Sequence, residues 1–463
     1  MAEKKPLSNL VKYTYGLVDL TATIHNNIGN MFFMFVMTNV LMLSNTTTLW
    51  ISGIGSSIVM FFPFFIGMIM SGTPAMKWGR YRSWLLVCAP IANIAFVFRF
   101  VAIGENEVAV GWVILIAHLI DQLFHGFCYA ANGSLMNVIS SNEADRVFLS
   151  RNRGFHTGLA NVVISYIGQP LALAFAAKVG LKGGWACMVV CVAVVNCLTM
   201  WYTVWLTREY EGPGIAEDVS NTTKRAPISV MLKSLVQNRS LMALVFADIC
   251  RFTGNMAILG SQAYLFTYVL QDKGLMTLYT FWGGILQTVG SFCSGSVVKK
   301  SSAKVMITAS EFLCVASLAV CYVASGAGIV PLAIGTLLLY RFSHGFGYSI
   351  YFNSYADCVV YGEWKTGMFI PGFTVSLTSV AAQVGSMIKS WVLPLVLIAI
   401  NFNAKIPVEE TSATVISGIR TVVTLFPGGV RLLGALALLI FYNLTNEKIK
   451  QCEEEIKARK AGQ

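Results

Sequence analysis

Asp19, Thr23, Asn26 and Asn30 follow one another at spacings of four, three and four. On an α-helix such spacing lines side chains along one face. His118, Asp121, Gln122, His125, Tyr129 and Asn132 make a similar stripe, and so do Asp248, Arg251, Asn255 and Gln262. A fourth set, Arg341, His344, Tyr348 and Asn353, is mixed with aromatics. Amides, carboxylates and imidazoles exchange hydrogen bonds with a polyhydroxylated solute. An arginine can also grip a carboxylate or sulfonate through two parallel N–H···O bonds. His118, Asp121 and His125 could be read as a metal site on one helix face, but no fourth ligand is identifiable. A proton or substrate contact at Asp121 or His125 is the better reading. No nucleophile–base constellation and no Walker motif occurs, so the chain reads as a non-enzyme and not as an ATP-driven pump. It calls for no metal and no cofactor.

These polar stripes sit in an apolar chain. Of 463 residues, 56% are hydrophobic and only 12% charged, about half the usual globular share. That excludes disorder and most soluble enzyme folds. Long apolar runs recur from end to end, which predicts an all-α membrane protein in a lipid bilayer. Hydropathy places helices near 15–43, 48–71, 83–103, 109–139, 153–178 and 184–206, and again near 240–270, 275–297, 304–325, 328–356, 369–400 and 416–444. Twelve spans in two six-helix halves, 1–206 and 240–444, are thus predicted. A polar linker, 207–239, joins them, and a tail, 445–463, follows. The tail reads as a solvated, charged helix that aids solubility and topology.

Lysine and arginine set the orientation. The segments predicted to be cytoplasmic hold most of them, including Lys77, Arg80, Arg82, Arg146, Arg151 and Lys365, whereas the outer loops hold only Lys178, Lys182, Lys273 and Lys405. Both termini are therefore predicted to be cytoplasmic. The same asymmetry accounts for most of the net charge of +11 without any nucleic acid. The N-terminus is not read as a cleavable signal peptide. The 11 cysteines show no CxxC or zinc spacing and read as small apolar side chains, not a disulfide framework.

Charges inside the spans each need a reason, because one at mid-bilayer costs about 2.5 kcal/mol or more. The acids are Asp19, Asp121, Asp248 and Glu311; the bases include Arg99, Arg251, Arg341, Lys389, Arg420 and Arg431. Arg99, close to a predicted helix end, is expected to snorkel to an interface. Asp248 and Arg251, three apart, could neutralise each other or meet a ligand. Gly29-Asn30-Met31 and Gly254-Asn255-Met256 lie at similar depths in the first helix of each half, an echo of two related halves.

Four further segments carry a family resemblance. Tyr15-Gly16-Leu17-Val18-Asp19, Trp78-Gly79-Arg80-Tyr81-Arg82-Ser83-Trp84, Asn142-Glu143-Ala144-Asp145-Arg146 with Arg153, and Tyr361-Gly362-Glu363-Trp364-Lys365-Thr366-Gly367 occur in order along the chain. Together they resemble the glycoside–pentoside–hexuronide:cation symporters, of the melibiose-permease or glucuronide- and xyloside-transporter kind. The resemblance implies a pseudo-symmetric major-facilitator fold, with helices 1, 4, 7 and 10 lining a cavity, and a location in a bacterial cytoplasmic membrane. It implies a sugar or glycoside substrate and a coupling cation, H+ or Na+. The family's sugar-binding acid of helix 4 falls at Tyr129, and Arg153 and Tyr348 stand near positions used around the sugar. A helix-11 lysine is replaced near Thr378 to Gln383. The melibiose-permease pair of helix-2 aspartates has no counterpart in Ser56–Phe64, which favours protons over sodium.

The combined reading is a multi-pass secondary transporter of a glycoside, pentoside or hexuronide, working by alternating access. Asp19, Asn26, Asn30, Tyr129, Arg153, Asp248, Arg251, Tyr348 and Gln383 are its candidate substrate contacts. Asp19, Asp121 and Asp248 are candidate coupling groups, and Arg80, Arg146, Glu363 and Lys365 candidate gating charges. An uncoupled uniporter, a carrier of another polar solute and a non-transporting membrane sensor are the alternatives.

Overall fold

The computed structural model describes residues 6–73, 76–140, 143–211, 237–298, 302–366 and 371–461. Most of the predicted linker, 212–236, lies outside the described residues. Among the described residues the architecture is helical, with twelve long segments in sequence. The chain divides into two compact units. The first comprises Met1–Ser220 with Met276–Phe281 and Asn401–Pro407; the second comprises Asn221–Leu275, Trp282–Ile400 and Val408–Gln463.

In the first unit, α1 is Leu17–Asn39. The second span, α2 (45–72), breaks at Met60–Phe61, just ahead of Pro63. A proline has no backbone N–H to continue the ladder, so it is tolerated only where a new helical piece begins. Helix α3 is Arg80–Phe98 and α4 is Glu107–Ile139, the latter capped by Asn106 accepting from the Val108 and Ala109 amides. The fifth span begins at Glu143, ten residues before the predicted start at 153. It runs as α5 (143–179), with a break at Gly168, until Gly180 takes a positive φ of 74°. That left-handed geometry suits glycine and separates α5 from α6 (181–206).

In the second unit, α7 (239–269) ends in a π-helical turn, Leu265–Val269. Helices α8 (Lys273–Val298), α9 (Ala303–Gly326), α10 (Val330–Thr366) and α11 (Pro371–Ala399) follow. The last span, α12 (413–441), carries a second π-helical turn, Thr421–Leu425, ahead of Pro427. Eight helical runs among the described residues are long and apolar enough to cross a membrane; one, Ala144–Leu206, has 63 residues, enough for two crossings.

Two predictions are corrected here. Helix α10 continues to Thr366, ten residues past its predicted end, so Tyr361–Thr366 is helical and not a connecting loop. The tail, Asn446–Ala461, is not a freely solvated helix. Trp364 donates its indole N–H to Glu455 at 2.6 Å, Arg459 donates to the Trp364 carbonyl at 2.9 Å, and the Lys448 ammonium lies 5.5 Å from the Tyr361 ring centroid. Cys452 is buried, and Ile449 packs on the core around Tyr355 and Cys358. The tail thus has one apolar, docked side, which its high charge content hides in a composition-based reading.

The basic motif after α2 also has a structural role. Glu211 accepts the amide hydrogens of Tyr81 at 2.8 Å and Arg82 at 3.0 Å, so an acid from the end of the unit caps α3. Arg82 in turn donates to the carbonyls of Trp78, Val204 and Glu211. Both residues are buried. Glu211→Ala should lower the thermal unfolding temperature of the purified protein, at a cost of about 1–2 kcal/mol for the lost cap. Glu211→Gln, which retains one acceptor oxygen, should cost less. Equal melting of wild type and the alanine variant would contradict this capping role.

Candidate functional site

Each of the four acids predicted inside spans is matched by an arginine. In the first unit Arg153 of α5 grips Asp19 of α1 in a fork, Nε to Oδ2 at 2.8 Å and Nη2 to Oδ1 at 2.7 Å. The amide of Asn132 faces both Asp19 oxygens at 3.3 Å. Tyr129, one turn before Asn132 on α4, is 62% exposed, and the Arg153 side chain of the pair keeps 17% exposure. Such a fork is geometrically specific and charge-assisted.

The second pair is fully buried. Asp121 of α4 receives His25 Nε2 of α1 at 2.9 Å and pairs with Arg99 of α3. The expected snorkelling of Arg99 does not occur; it is 2% exposed, with the ring of Phe33 4.4 Å from its guanidinium carbon. The charge of Asp121 holds it inside, because separating either ion from its partner would leave an uncompensated charge in apolar surroundings. Asn196 of α6 directs its amide nitrogen at His25 Nδ1, 3.4 Å away, and donates to Asn93 at 3.0 Å. Both contacts are satisfied by an imidazole that accepts at Nδ1 and donates from Nε2. His25 and His125 stack with centroids 4.4 Å apart, and Asn26 contacts His125 Nε2 at 3.2 Å.

The second unit repeats the chemistry. Arg431 of α12 is wholly buried and donates to Glu311 of α9 at 2.6 Å, to Tyr340 Oη and His344 Nδ1 of α10 at 3.1 and 2.8 Å, and to the Arg251 carbonyl of α7 at 3.3 Å. An arginine only donates, so His344 presents Nδ1 as acceptor. Its companion pair is Asp248 and Arg251, joined at 2.8 Å through Nε and 2.6 Å through Nη2. Tyr355 donates to the other Asp248 oxygen at 3.1 Å.

The glycines of the internal echo acquire a physical meaning. A Cβ on Gly29 would stand 3.2 Å from Arg99 Nη2, and a Cβ on Gly254 would stand 3.1 Å from Arg431 Nε. Each glycine lets a buried guanidinium lie against the first helix of its unit. Corresponding helices supply the two clusters: α1, α3, α4 and α6 in one unit, α7, α9, α10 and α12 in the other. The residue types exchange places among them, with the arginine on α3 in the first and on α12 in the second.

The remaining candidates are less engaged. Asn30 and Gln383 are half-buried on α1 and α11. Tyr348 is 52% exposed, its ring 5.1 Å from the Arg251 guanidinium carbon. Among the gating candidates, Lys365 donates to the Gln237 carbonyl at 2.8 Å, Arg80 donates to the Met70 carbonyl at 3.1 Å, Glu363 is half-buried on α10 and Arg146 is exposed on α5. The sequence reading did not select His25, Arg99, Asn196, His344 or Arg431 as site residues. The glycine echo was the available signal, because a matched pair of glycines in two apolar helices marks close approach by something else.

A family model described as MFS/sugar transport protein matches residues 14–446. The chain is 25% identical over 393 residues to the glucuronide carrier protein homolog of Escherichia coli strain K12, covering 83% of this chain and 81% of that one. It is 24% identical over 472 residues to a putative 2,3-dihydroxypropane-1-sulfonate exporter of Salmonella typhimurium strain LT2, covering 97% and 96%. Among solved structures, a bacterial homolog of the human lysosomal transporter Spinster, in an inward-facing and unoccupied conformation, superposes with a TM-score of 0.68. It is 12% identical, with 95% of this chain and 97% of that one covered, a likeness of fold alone.

Gly254→Val should destabilise the second unit, because the added carbons meet Arg431 and, at 3.2 Å, the Pro427 carbonyl. Overpacking of this kind costs about 1–3 kcal/mol. Gly29→Ala should be milder, since it meets only the ends of the flexible Arg99 side chain. Thermal melts in detergent check the order; a Gly254→Val melt matching wild type would refute it.

Proposed function

This chain belongs to the MFS/sugar transport protein family, of the glycoside–pentoside–hexuronide:cation symporter kind, and from that premise we propose that it carries a glycoside, pentoside or hexuronide across the bacterial plasma membrane by alternating access. It is a multi-pass membrane transporter, and the transported solute is released with its bonds unchanged. The Asp19–Arg153 fork beside exposed Tyr129 carries the substrate reading. Its ionised oxygens and N–H groups bind sugar hydroxyls through charge-assisted hydrogen bonds, and the tyrosine ring offers a flat apolar face. Asn26 and Asn30 supply amides for further hydroxyls in the first unit; Asp248, Arg251, Tyr348 and Gln383 are the candidate contacts within the second. The relatives' names support a polar, polyhydroxylated or acidic solute. Arg80, Arg146, Glu363 and Lys365 act as gating charges. The positive-inside asymmetry supports a cytoplasmic location for both termini.

Protons are the favoured coupling ion. A sodium site needs several hard oxygen ligands, and the α2 run Ser56–Phe64 contains no acid. Asp121 is the preferred carrier over Asp19 and Asp248, because it alone among these acids touches an imidazole. Histidine is the side chain best suited to proton exchange near neutral pH. An uncoupled carrier is the second reading, favoured by the arginine already matched to Asp121.

Transport in proteoliposomes tests both. Coupled uptake should rise with an inwardly directed proton gradient and ignore sodium. Asp121→Asn should reduce uphill accumulation at least tenfold while sparing counterflow exchange of the same sugar. Sodium-driven accumulation at fixed pH would overturn proton coupling, and flux indifferent to both gradients would favour the uncoupled carrier.

A further inference from the structure

Helix α10 presents three tyrosines, Tyr348, Tyr351 and Tyr355, at spacings of three and four, and therefore on one face. Tyr355 is tied to Asp248. The rings of Tyr351 and Tyr348 lie 4.7 and 5.1 Å from the Arg251 guanidinium carbon, and Phe252 stands 4.3 Å from it. Arg251 is thus enclosed by aromatic rings, with Nε and Nη2 both committed to Asp248.

Two polar groups of this cage are left over. Arg251 Nη1 and the Tyr351 hydroxyl are buried and have no hydrogen-bond partner among the described residues. Arg251 is 3% exposed and Tyr351 2%. An unmet buried donor costs about 1–3 kcal/mol, which is retained where a ligand supplies the missing acceptor. Both groups can donate, and a guanidinium can do nothing else. Tyr348, 52% exposed, forms the outer wall of the cage. The helices of this half also hold more base than acid: Arg239, Arg251, Lys273, Lys304, Arg341, Lys365, Lys389, Arg420 and Arg431 against Asp248, Glu311, Asp357 and Glu363. Positive charge in surroundings of low dielectric favours a ligand that brings a negative one.

We propose that Arg251 Nη1 and the Tyr351 hydroxyl form an anion subsite, reached past Tyr348, which selects sugars bearing a carboxylate or sulfonate over their neutral counterparts. This rests on the sugar-transport reading above and narrows its substrate class. Asp248 serves as the fixed counter-ion that orients the guanidinium, so the anion meets a pre-aimed N–H group. A neutral hydroxymethyl group at the same place can accept those hydrogens but adds no charge.

The full-length protein in proteoliposomes, given methyl glucoside, methyl glucuronide and methyl sulfoquinovoside as competing probes, tests the proposal. These three differ at C6: neutral, carboxylate and sulfonate. At least one acidic probe should bind about tenfold tighter than the glucoside, the worth of one hydrogen bond to a charged group. Comparison of the two acids tells carboxylate from sulfonate. Tyr351→Phe, which keeps the ring against Arg251, should erase most of that preference and weaken the glucoside less than either acid, since a hydrogen bond to a neutral oxygen is worth less than one to a charge. The paired change Asp248→Asn with Arg251→Gln, which keeps the cage neutral, should erase it as well. Glucoside bound as tightly as either acid, or Tyr351→Phe weakening all three probes alike, would overturn the anion subsite and leave sugar transport standing. Failure of all three probes to bind or move would remove the transport reading and the subsite together.

Discussion

A carboxylate surrounded by apolar helices survives only with a cation beside it. Among the described residues that condition is met four times, by Asp19 with Arg153, Asp121 with Arg99, Asp248 with Arg251 and Glu311 with Arg431. Three of these pairs join different helices, and the fourth is connected to α10 through Tyr355. Hydrophobic burial cannot choose among the many ways of packing apolar helices in lipid, because lipid tails are as apolar as leucine. A buried ion pair can choose, because a wrong partner leaves an uncompensated charge at a cost of about 3–5 kcal/mol.

The same condition accounts for details that would otherwise be unrelated. Arg99 and Arg431 each need space against the first helix of their unit, and Gly29 and Gly254 provide it. His25, Asn196 and Asn93 extend from Asp121 because a buried carboxylate has more acceptor sites than one arginine fills. His344 and Tyr340 extend from Arg431 because a guanidinium has five hydrogens to place. The clusters are chemical counterparts built on corresponding helices, although the acid and base have moved between them.

The pairs differ in what surrounds them. Asp121–Arg99 and Glu311–Arg431 are enclosed among helices of their own units. Asp19–Arg153 borders the exposed ring of Tyr129, and Asp248–Arg251 the exposed ring of Tyr348. The motifs of the resemblance are likewise anchored. The segment around Arg82 is fixed by Glu211, and the segment around Trp364 by the docked tail.

Composition and periodicity alone determined the helical membrane class and the approximate place of the twelve long helices, because a bilayer demands about 20 apolar residues per crossing and leaves that demand written along the chain. The polar stripes with Asp19, Asn26, Asp121, Asp248 and Arg251 were legible for a similar reason, since helical spacing is a property of sequence neighbours. Partner choice was not. Arg99 looked like a snorkelling side chain because it stands near a helix end, and only packing against α4 reveals Asp121 beside it. Arg431 and Glu311 are 120 positions apart, and nothing local to either marks the other. Helix ends likewise depended on contacts: α10 runs on to Thr366 while the tail supports it from residues some ninety positions away. Short-range order lay in the sequence because it follows from backbone geometry and solvent, whereas the matching of distant charges had to wait for the tertiary structure that brings them together.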